Sequence, residues 1–366
     1  VMSYRVAVLG GGVSPEHEVS VRSADRVAAA LEARGHAITR VHIERDGTWV
    51  LDATRRLPAL VAMHELASVA DCVFPALHGR GGEDGLVQAL ADAASLPCAL
   101  SGLRASSIGM SKTLTRACLV GAGLPMARAL TPSRLQSRTL DADAVVDLAT
   151  RAGLKLPWFL KEEDSGSSLG VERIARAEDV GPALERVAKL GPHWLIEEGV
   201  PGIEITCTVL GNAGGQLEAL PVIEIRPRVA AFFDYEAKYD ANATDELCPA
   251  PSLDAKTTQY VQDLALRTHD LLGCRGLSRT DMIVADAAAL QVVILETNTI
   301  PGLTAESLVP KAARAAGMSF GDLLERLVHL AVAKDDSTGL APGIVADQAR
   351  ARSDAPQQLR STADED

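Results

Sequence analysis

Short apolar runs alternate with amphipathic stretches along the first third of the chain. RVAVLG (5–10) predicts a strand. Residues 19–35 place apolar side chains at helical spacing and stop on Gly35, which predicts a helix with a glycine end. HAITRVHI (36–43) and DCVFPALHG (71–79) predict further strands, with a helix after Glu83. Strands alternating with helices build a parallel sheet, so the opening unit reads as α/β. Residues 101–125 hold a polar turn and a helix closing at Gly121 or Gly123, and 141–153 a second helix. LPWFLK (156–161) is a strand that ends on lysine and runs into SGSSLG (165–170). WLIEEGVPGIEITCTVLG (194–211) predicts two strands, the second antiparallel with one wet face. A helix over 257–273 precedes the strands LSRTDMIVAD and LQVVILETN, and helices near 306–316 and 319–334 close the fold. The later part therefore reads as α+β. From Lys334 onward large apolar residues almost vanish, so 335–366 is predicted disordered: it cannot bury enough surface to offset its ordering entropy. No internal repeat is present.

Length and charge narrow the class. With 366 residues, 47% of them hydrophobic, the chain can bury two or three cores. A net charge of -12 argues against a general nucleic-acid binder, although a local set of lysines can still hold phosphates. The six cysteines form no CxxC pair, which suits reduced thiols better than a disulfide framework or a zinc site. No segment approaches the roughly 20 apolar residues of a membrane span, and the first residues lack a secretory apolar region. A cytoplasmic protein without membrane or nucleic-acid partners is expected.

The chemistry concentrates near QVVILETNTIPG (291–302). Strand alternation sends Glu296 and Asn298 to one face and Thr297 to the other. Pairing with LSRTDMIVAD sets Asp281 opposite Glu296 or Asn298. Two carboxylates and an amide oxygen make a hard oxygen set suited to Mg²⁺ and its phosphates. One such pair is more often a solvated strand end; Arg279, two residues before Asp281 on the same face, shifts the balance toward phosphoryl chemistry. Lys112, Lys161 and Lys238 are single lysines of weak meaning alone, and SGSSLG offers amides and hydroxyls to phosphate oxygens. No GxxxxGK[ST] occurs. GGGVSPEHEVS (10–20) lacks the third glycine of a dinucleotide fingerprint but places Glu16-His17-Glu18 at a helix start, where a carboxylate could meet a substrate amine. HGRGGEDG (78–85) lies at the carboxyl end of a strand, where ligands sit in α/β sheets.

Taken in order, GGGVSPEHEVS, HGRGGEDG, GAGLP, YEAKY, RTD, ETNTIPG and SLVP resemble D-alanine–D-alanine ligases of the ATP-grasp superfamily, over about residues 4–333. The resemblance implies a three-domain ATP-grasp fold. Its units would be an N-terminal parallel-sheet domain (1–100), a central ATP-grasp subdomain (101–196), a C-terminal ATP-grasp domain (197–334), and the tail. It implies ATP-dependent joining of two D-alanines through an acyl phosphate, and a homodimer. Asp281, Glu296 and Asn298 would hold two Mg²⁺ ions, exchangeable for Mn²⁺. Arg279 and the Gly302 amide would stabilise the reacting groups. Lys112, Lys161 and Lys238 would contact phosphates, and Glu197, Glu198, Val200 and Glu204 would line the adenine and ribose pocket. Glu18 would bind the first D-alanine's ammonium, with His78 by its carboxylate; Ser307 and Leu308 would bind the second carboxylate. Glu18, Ser167 and Tyr239 would form a trio tying a lid over the site, and Tyr239 would favour D-alanine as second substrate. The sequence departs from the family pattern at Ser111, at Gly199, and in KEEDSGSS, where Glu162, Glu163 and Asp164 would repel phosphates unless they point away. Three rivals are weighed: an ATP-grasp ligase with another amino acid or D-lactate as second substrate, a nicotinamide oxidoreductase built on Gly10–Gly12 with Glu44 at ribose, and a non-catalytic binding protein.

Overall fold

The computed structural model describes residues 2–166, 170–228 and 244–333. The first unit runs β1 (Arg5–Gly11), α1 (His17–Glu32), β2 (Ala37–Ile43), β3 (Trp49–Leu51), β4 (Arg55–Leu57), α2 (Ala59–Val69), β5 (Cys72–Pro75) and α3 (Leu86–Ala93). Its sheet has the order β4-β3-β2-β1-β5. β2, β1 and β5 pair in parallel as the alternation predicts, while β3 and β4 add an antiparallel hairpin at the edge. That hairpin carries no glycine turn signal, because the non-glycine residues Asp52 and Ala53 take the left-handed backbone.

The glycine run after β1 has a steric cause. A Cβ on Gly10 would stand 2.4 Å from the Ala24 Cβ, and one on Gly11 2.2 Å from the Ile43 carbonyl oxygen. Only glycine lets α1 lie this close to the sheet. Ser20 then locks the helix start to the neighbouring loop: its hydroxyl accepts from the Gly11 N–H (2.9 Å) and donates to the Ala76 carbonyl (2.7 Å).

Two helices, α4 (Leu103–Met110) and α5 (Lys112–Gly121), lead to a second, antiparallel sheet of order β6-β9-β7-β8. Its elements are β6 (Ala129–Leu130), α6 (Gln136–Thr139), α7 (Ala142–Arg151), β7 (Trp158–Glu162), β8 (Val171–Ile174), α8 (Val180–Val187) and β9 (Trp194–Glu198). α7 and α8 cover this sheet through Val145, Ala149, Val180, Ala183 and Val187.

The third sheet holds β10 (Ile203–Leu210), β11 (Glu218–Ala219), β12 (Ile223–Pro227), β13 (Thr244–Leu247), β14 (Leu277–Asp286) and β15 (Gln291–Asn298), ordered β13-β12-β10-β14-β15 with β11 beside β10. Between β13 and β14 runs α9 (Ala255–Leu272), and α10 (Leu308–Ala315) and α11 (Phe320–Val332) follow β15. The apolar face of β10 packs under α9. Its other face, expected wet, is buried: Thr206 and Thr208 are 1% and 2% exposed. The alternation is real, but the polar face turns to the functional cleft rather than to bulk solvent.

Two assignments differ from the sequence expectation. α4 and α5, expected with the central sheet, contribute Ala105 and Leu119 to the core of the third sheet. α10 and α11 share a core with β1, α1 and β5, where Leu323, Leu324 and Leu327 meet Val8, Val27 and Phe74. The chain's last described helices thus brace its first sheet. The six cysteines are free thiols, as expected. Among the described residues no helix is long and apolar enough to cross a membrane. The expectation of a disordered 335–366 lies outside the described residues.

One buried group couples this core to pH. His269 on α9 is fully buried, with Nδ1 2.8 Å from the Ser278 hydroxyl. Burial lowers its pKa from 6.5 to about 4. Above pH 6.5 the ring is neutral folded or unfolded and stability is unaffected. As pH falls from about 6.5 to about 4 the unfolded chain takes up the proton first, removing up to about 3 kcal/mol. Urea unfolding between pH 7.5 and pH 5 should show about 2 kcal/mol of this loss, and His269→Gln should flatten it. An equal slope in the variant would assign the pH dependence elsewhere.

Candidate active site

β14 and β15 form the floor of a cavity of about 1050 Å³. Their register sets Arg279 opposite Asn298 and Asp281 opposite Glu296, and a bulge follows between Asp281 and Met282. Arg279 grips Asp281 with two parallel bonds, Nε to Oδ1 at 2.8 Å and Nη2 to Oδ2 at 2.7 Å. Thr206, reaching from β10, donates to Oδ1 at 2.6 Å, and the Asn298 amide donates to Oδ2 at 3.1 Å. Burial opposes the charge of Arg279, but Asp281, Glu296 and Glu83 more than offset it and raise its pKa. Lys112 and Lys161 line the same cavity beside Glu296 and Asn298. Burial lowers the pKa of Lys112, which donates to the Ser165 carbonyl. In Lys161 the Glu197 carboxylate overcomes burial and raises it.

The nucleotide-facing candidates cluster on β9, β10 and the turn between them. Glu197, Glu198, Val200 and Glu204 all line the cavity. Glu197 is also held inside the protein by Lys161 and by Arg116 (3.4 Å), and the Glu198 Oε2 accepts from the Lys155 amide at 3.1 Å. Gly199 is explained sterically: a Cβ there would lie 2.8 Å from the Pro157 carbonyl oxygen and 2.9 Å from the Phe159 ring. Phe159, which also lines the cavity, fills the room that a larger residue at 199 would need.

The acids of KEEDSGSS do not line the cavity. Glu162 is buried and accepts from the Asp164 amide at 2.8 Å. Glu163 is buried against the start of α5. None of the three acids therefore meets a ligand directly, although the Glu162 charge still acts on Lys112.

His78, Gly302, Ser307 and Leu308 also face the cavity. His78 is buried, and burial lowers its pKa, keeping the imidazole neutral at pH 7. Its backbone carbonyl accepts from the Ser14 hydroxyl at 2.7 Å. The Ser307 hydroxyl meets Thr304 at 2.8 Å, and a Cβ on Gly302 would stand 2.8 Å from it. This packing brings the turn after β15 against the start of α10.

One candidate is misplaced by the sequence reading. Glu18 projects to solvent, its side chain 68% exposed and paired with Arg45 at 3.0 Å. Glu16 is 6% exposed and lines the cavity. At 100° per residue, Glu16, Val19 and Arg22 share a helix face that Glu18 does not. The acid in the site is thus the first of EHE, a phase readable in the sequence. Phe159, Thr206 and Arg116 were also missed; each reaches the site from a distant part of the chain, and no local pattern marks it. Ser167, Lys238 and Tyr239 lie outside the described residues.

The comparison with known families decides the identity. The family model described as "D-ala D-ala ligase C-terminus" matches residues 118–329, and "D-ala D-ala ligase N-terminus" matches 5–60. The chain belongs to the D-ala D-ala ligase family. A D-alanine--D-alanine ligase of Nitratidesulfovibrio vulgaris (strain DP4) is 41% identical over 326 residues, covering 89% of this chain and 97% of that protein. One of Syntrophobacter fumaroxidans is 42% identical over 328 residues, with the same coverage of each. Among solved structures, the VanG D-Ala:D-Ser ligase from Enterococcus faecalis superposes with a TM-score of 0.77 at 28% identity, covering 90% of this chain and 99% of that one. The D-alanine-D-alanine ligase from Coxiella burnetii gives 0.73 at 27%, covering 91% and 94%. As a member of this family the chain is an ATP-dependent ligase with the ATP-grasp fold. The nicotinamide alternative falls with that assignment, and Glu44, its proposed ribose ligand, is engaged by Arg56 at 2.5 Å.

Proposed function

We propose that this ligase joins two D-alanines into D-alanyl-D-alanine for peptidoglycan synthesis, in the cytoplasm and as a homodimer. The observation that carries the reading is the convergence of two sets of groups on one cavity. Lys112, Lys161 and Arg279 stand with the oxygen donors Asp281, Glu296 and Asn298, while Glu16, His78, Gly302 and Ser307 offer a small polar site beside them.

Lys112 and Lys161 would hold the ATP phosphates, with Lys238 closing on them. Phe159, Glu197, Glu198, Val200 and Glu204 would receive adenine and ribose. Asp281, Glu296 and Asn298 fit two Mg²⁺ ions by donor chemistry, and bound Mg²⁺ would neutralise phosphate charge. All four lone-pair directions of Asp281 are engaged by Thr206, Arg279 and Asn298, so Asp281 must exchange one partner on loading.

Glu16, in place of Glu18, would bind the first D-alanine's ammonium and take its place in the trio with Ser167 and Tyr239. The neutral His78 would donate to that substrate's carboxylate. A carboxylate oxygen attacks the γ-phosphorus, the bond to the β-phosphate oxygen breaks, and ADP leaves. Ser307 and the Leu308 amide, at the positive end of α10, would hold the second D-alanine by its carboxylate. Its free amine attacks the acyl carbon, Arg279 and the Gly302 N–H would stabilise the oxyanion, and collapse expels phosphate, which leaves with the proton the nitrogen gives up.

The test is phosphate release from Mg-ATP with D-alanine, L-alanine, and D-alanine plus D-lactate, the products identified by mass. D-alanyl-D-alanine formed only with ATP and Mg²⁺ is expected. A mixed depsipeptide as main product would move the reading to another second substrate.

A further inference from the structure

The buried carboxylate of Glu163 has no role in the steps above, yet two hydroxyls of the α5 start converge on it. It closes a short circuit between the end of β7 and the start of α5. The Ser111 hydroxyl donates to its Oε1 at 2.8 Å, and the Thr113 hydroxyl donates to the same oxygen. Its carbonyl accepts from the Lys112 amide at 3.2 Å, and its own amide donates to the His193 carbonyl at 3.0 Å. Ser111 is also the N-cap of α5, accepting from the Leu114 amide at 3.3 Å, so its hydroxyl is committed in both directions. The residue enclosed by these bonds is Lys112, whose ammonium donates to the Ser165 carbonyl in the loop that follows Glu163. Burial pushes the Glu163 pKa up, but Thr113, Ser111 and Arg134 hold it below the ordinary carboxylate range, so it is charged at pH 7. A negative charge at a helix N-terminus is also favourable to the helix.

We propose that Glu163 is a positioning residue for Lys112: its carboxylate ties α5 to β7 and thereby sets where the Lys112 ammonium stands in the nucleotide cavity. This rests on the reading of Lys112 as a phosphate contact. A lysine has a long, mobile stem. Fixing its backbone on both sides reduces the freedom lost when the ammonium meets a phosphate.

The test is steady-state kinetics on the full chain, varying ATP and D-alanine separately. Glu163→Ala should raise the KM for ATP about tenfold, the scale of lost hydrogen bonds to a charged acceptor. The KM for D-alanine should stay within about twofold, well inside one such bond. Glu163→Gln keeps an oxygen for both hydroxyls and should restore most of the ATP affinity. Glu163→Asp keeps the charge but withdraws it by one methylene, so it should behave like Glu163→Ala and serves if that variant folds poorly. Glu163→Ala in a Lys112→Ala background should add nothing. Multiplying effects, or equal losses for both substrates without rescue by Gln, would overturn the positioning role alone. If Lys112→Ala leaves the KM for ATP unchanged, the phosphate reading of Lys112 fails and the proposal with it.

Discussion

Glu296→Gln is expected to lower kcat by about 10³-fold or more, the scale of several kcal/mol of lost charge stabilisation. Glu296 lies opposite Asp281 across the β14–β15 pair and faces the cavity together with Lys112 and Lys161. Gln preserves its size and one acceptor oxygen but removes the negative charge that a divalent cation requires. The residue is half-buried at a strand end, so the fold should lose little. Turnover against Mg²⁺ concentration, with a melting curve on the same sample, checks both halves. Near-normal turnover at ordinary Mg²⁺ would remove the metal assignment from this face, and a partial rescue at high Mg²⁺ would strengthen it.

The second large effect concerns Arg279. Its fork-shaped bond to Asp281 is one that a lysine ammonium cannot reproduce. Arg279→Lys should therefore keep charge and much of the stability while losing about 10²–10³-fold in kcat, as when a charge-stabilising donor is removed. Arg279→Met should lose activity and, in addition, about 3–5 kcal/mol of stability, because Asp281 would remain buried without its cation. The two variants separate chemistry from packing. If Lys retains full kcat, the guanidinium is structural and does not meet the reacting groups.

Much of this site is legible before the fold. Asp281, Glu296 and Asn298 group because strand alternation is local and strict, Lys161 and the loop of His78 stand at strand ends, and the roles of His78 and Ser307 come from the family resemblance alone. Glu18 is expected in the site only because the family motif EHE offers two acids for one role; helix phase sends them to different faces, and Glu16 takes the cavity side. The edge hairpin β3–β4 was missed because its turn uses Asp52 and Ala53 in place of glycine. The wet face assigned to β10 failed because Thr206 and Thr208 point to water only until β14, β15 and the cleft are in place.

The sequence by itself determined the main strands and helices of the parallel start and of the α+β remainder, though not β3, β4, α2, β8, α8, β12 or β13, together with the family and the residue types that converge on the cavity. These follow from periodicity and from motifs a few residues long, which the chain carries locally. Only the tertiary structure decided that Asp281 faces Glu296 through one register and that the acids of KEEDSGSS stay out of the cavity lining. It also brought Phe159 to the space beside Gly199, and α10 and α11 back onto the first sheet. Each of these depends on which surfaces meet across tens to hundreds of residues. Burial and side-chain direction there are set by the partner surface, which no local stretch of sequence contains.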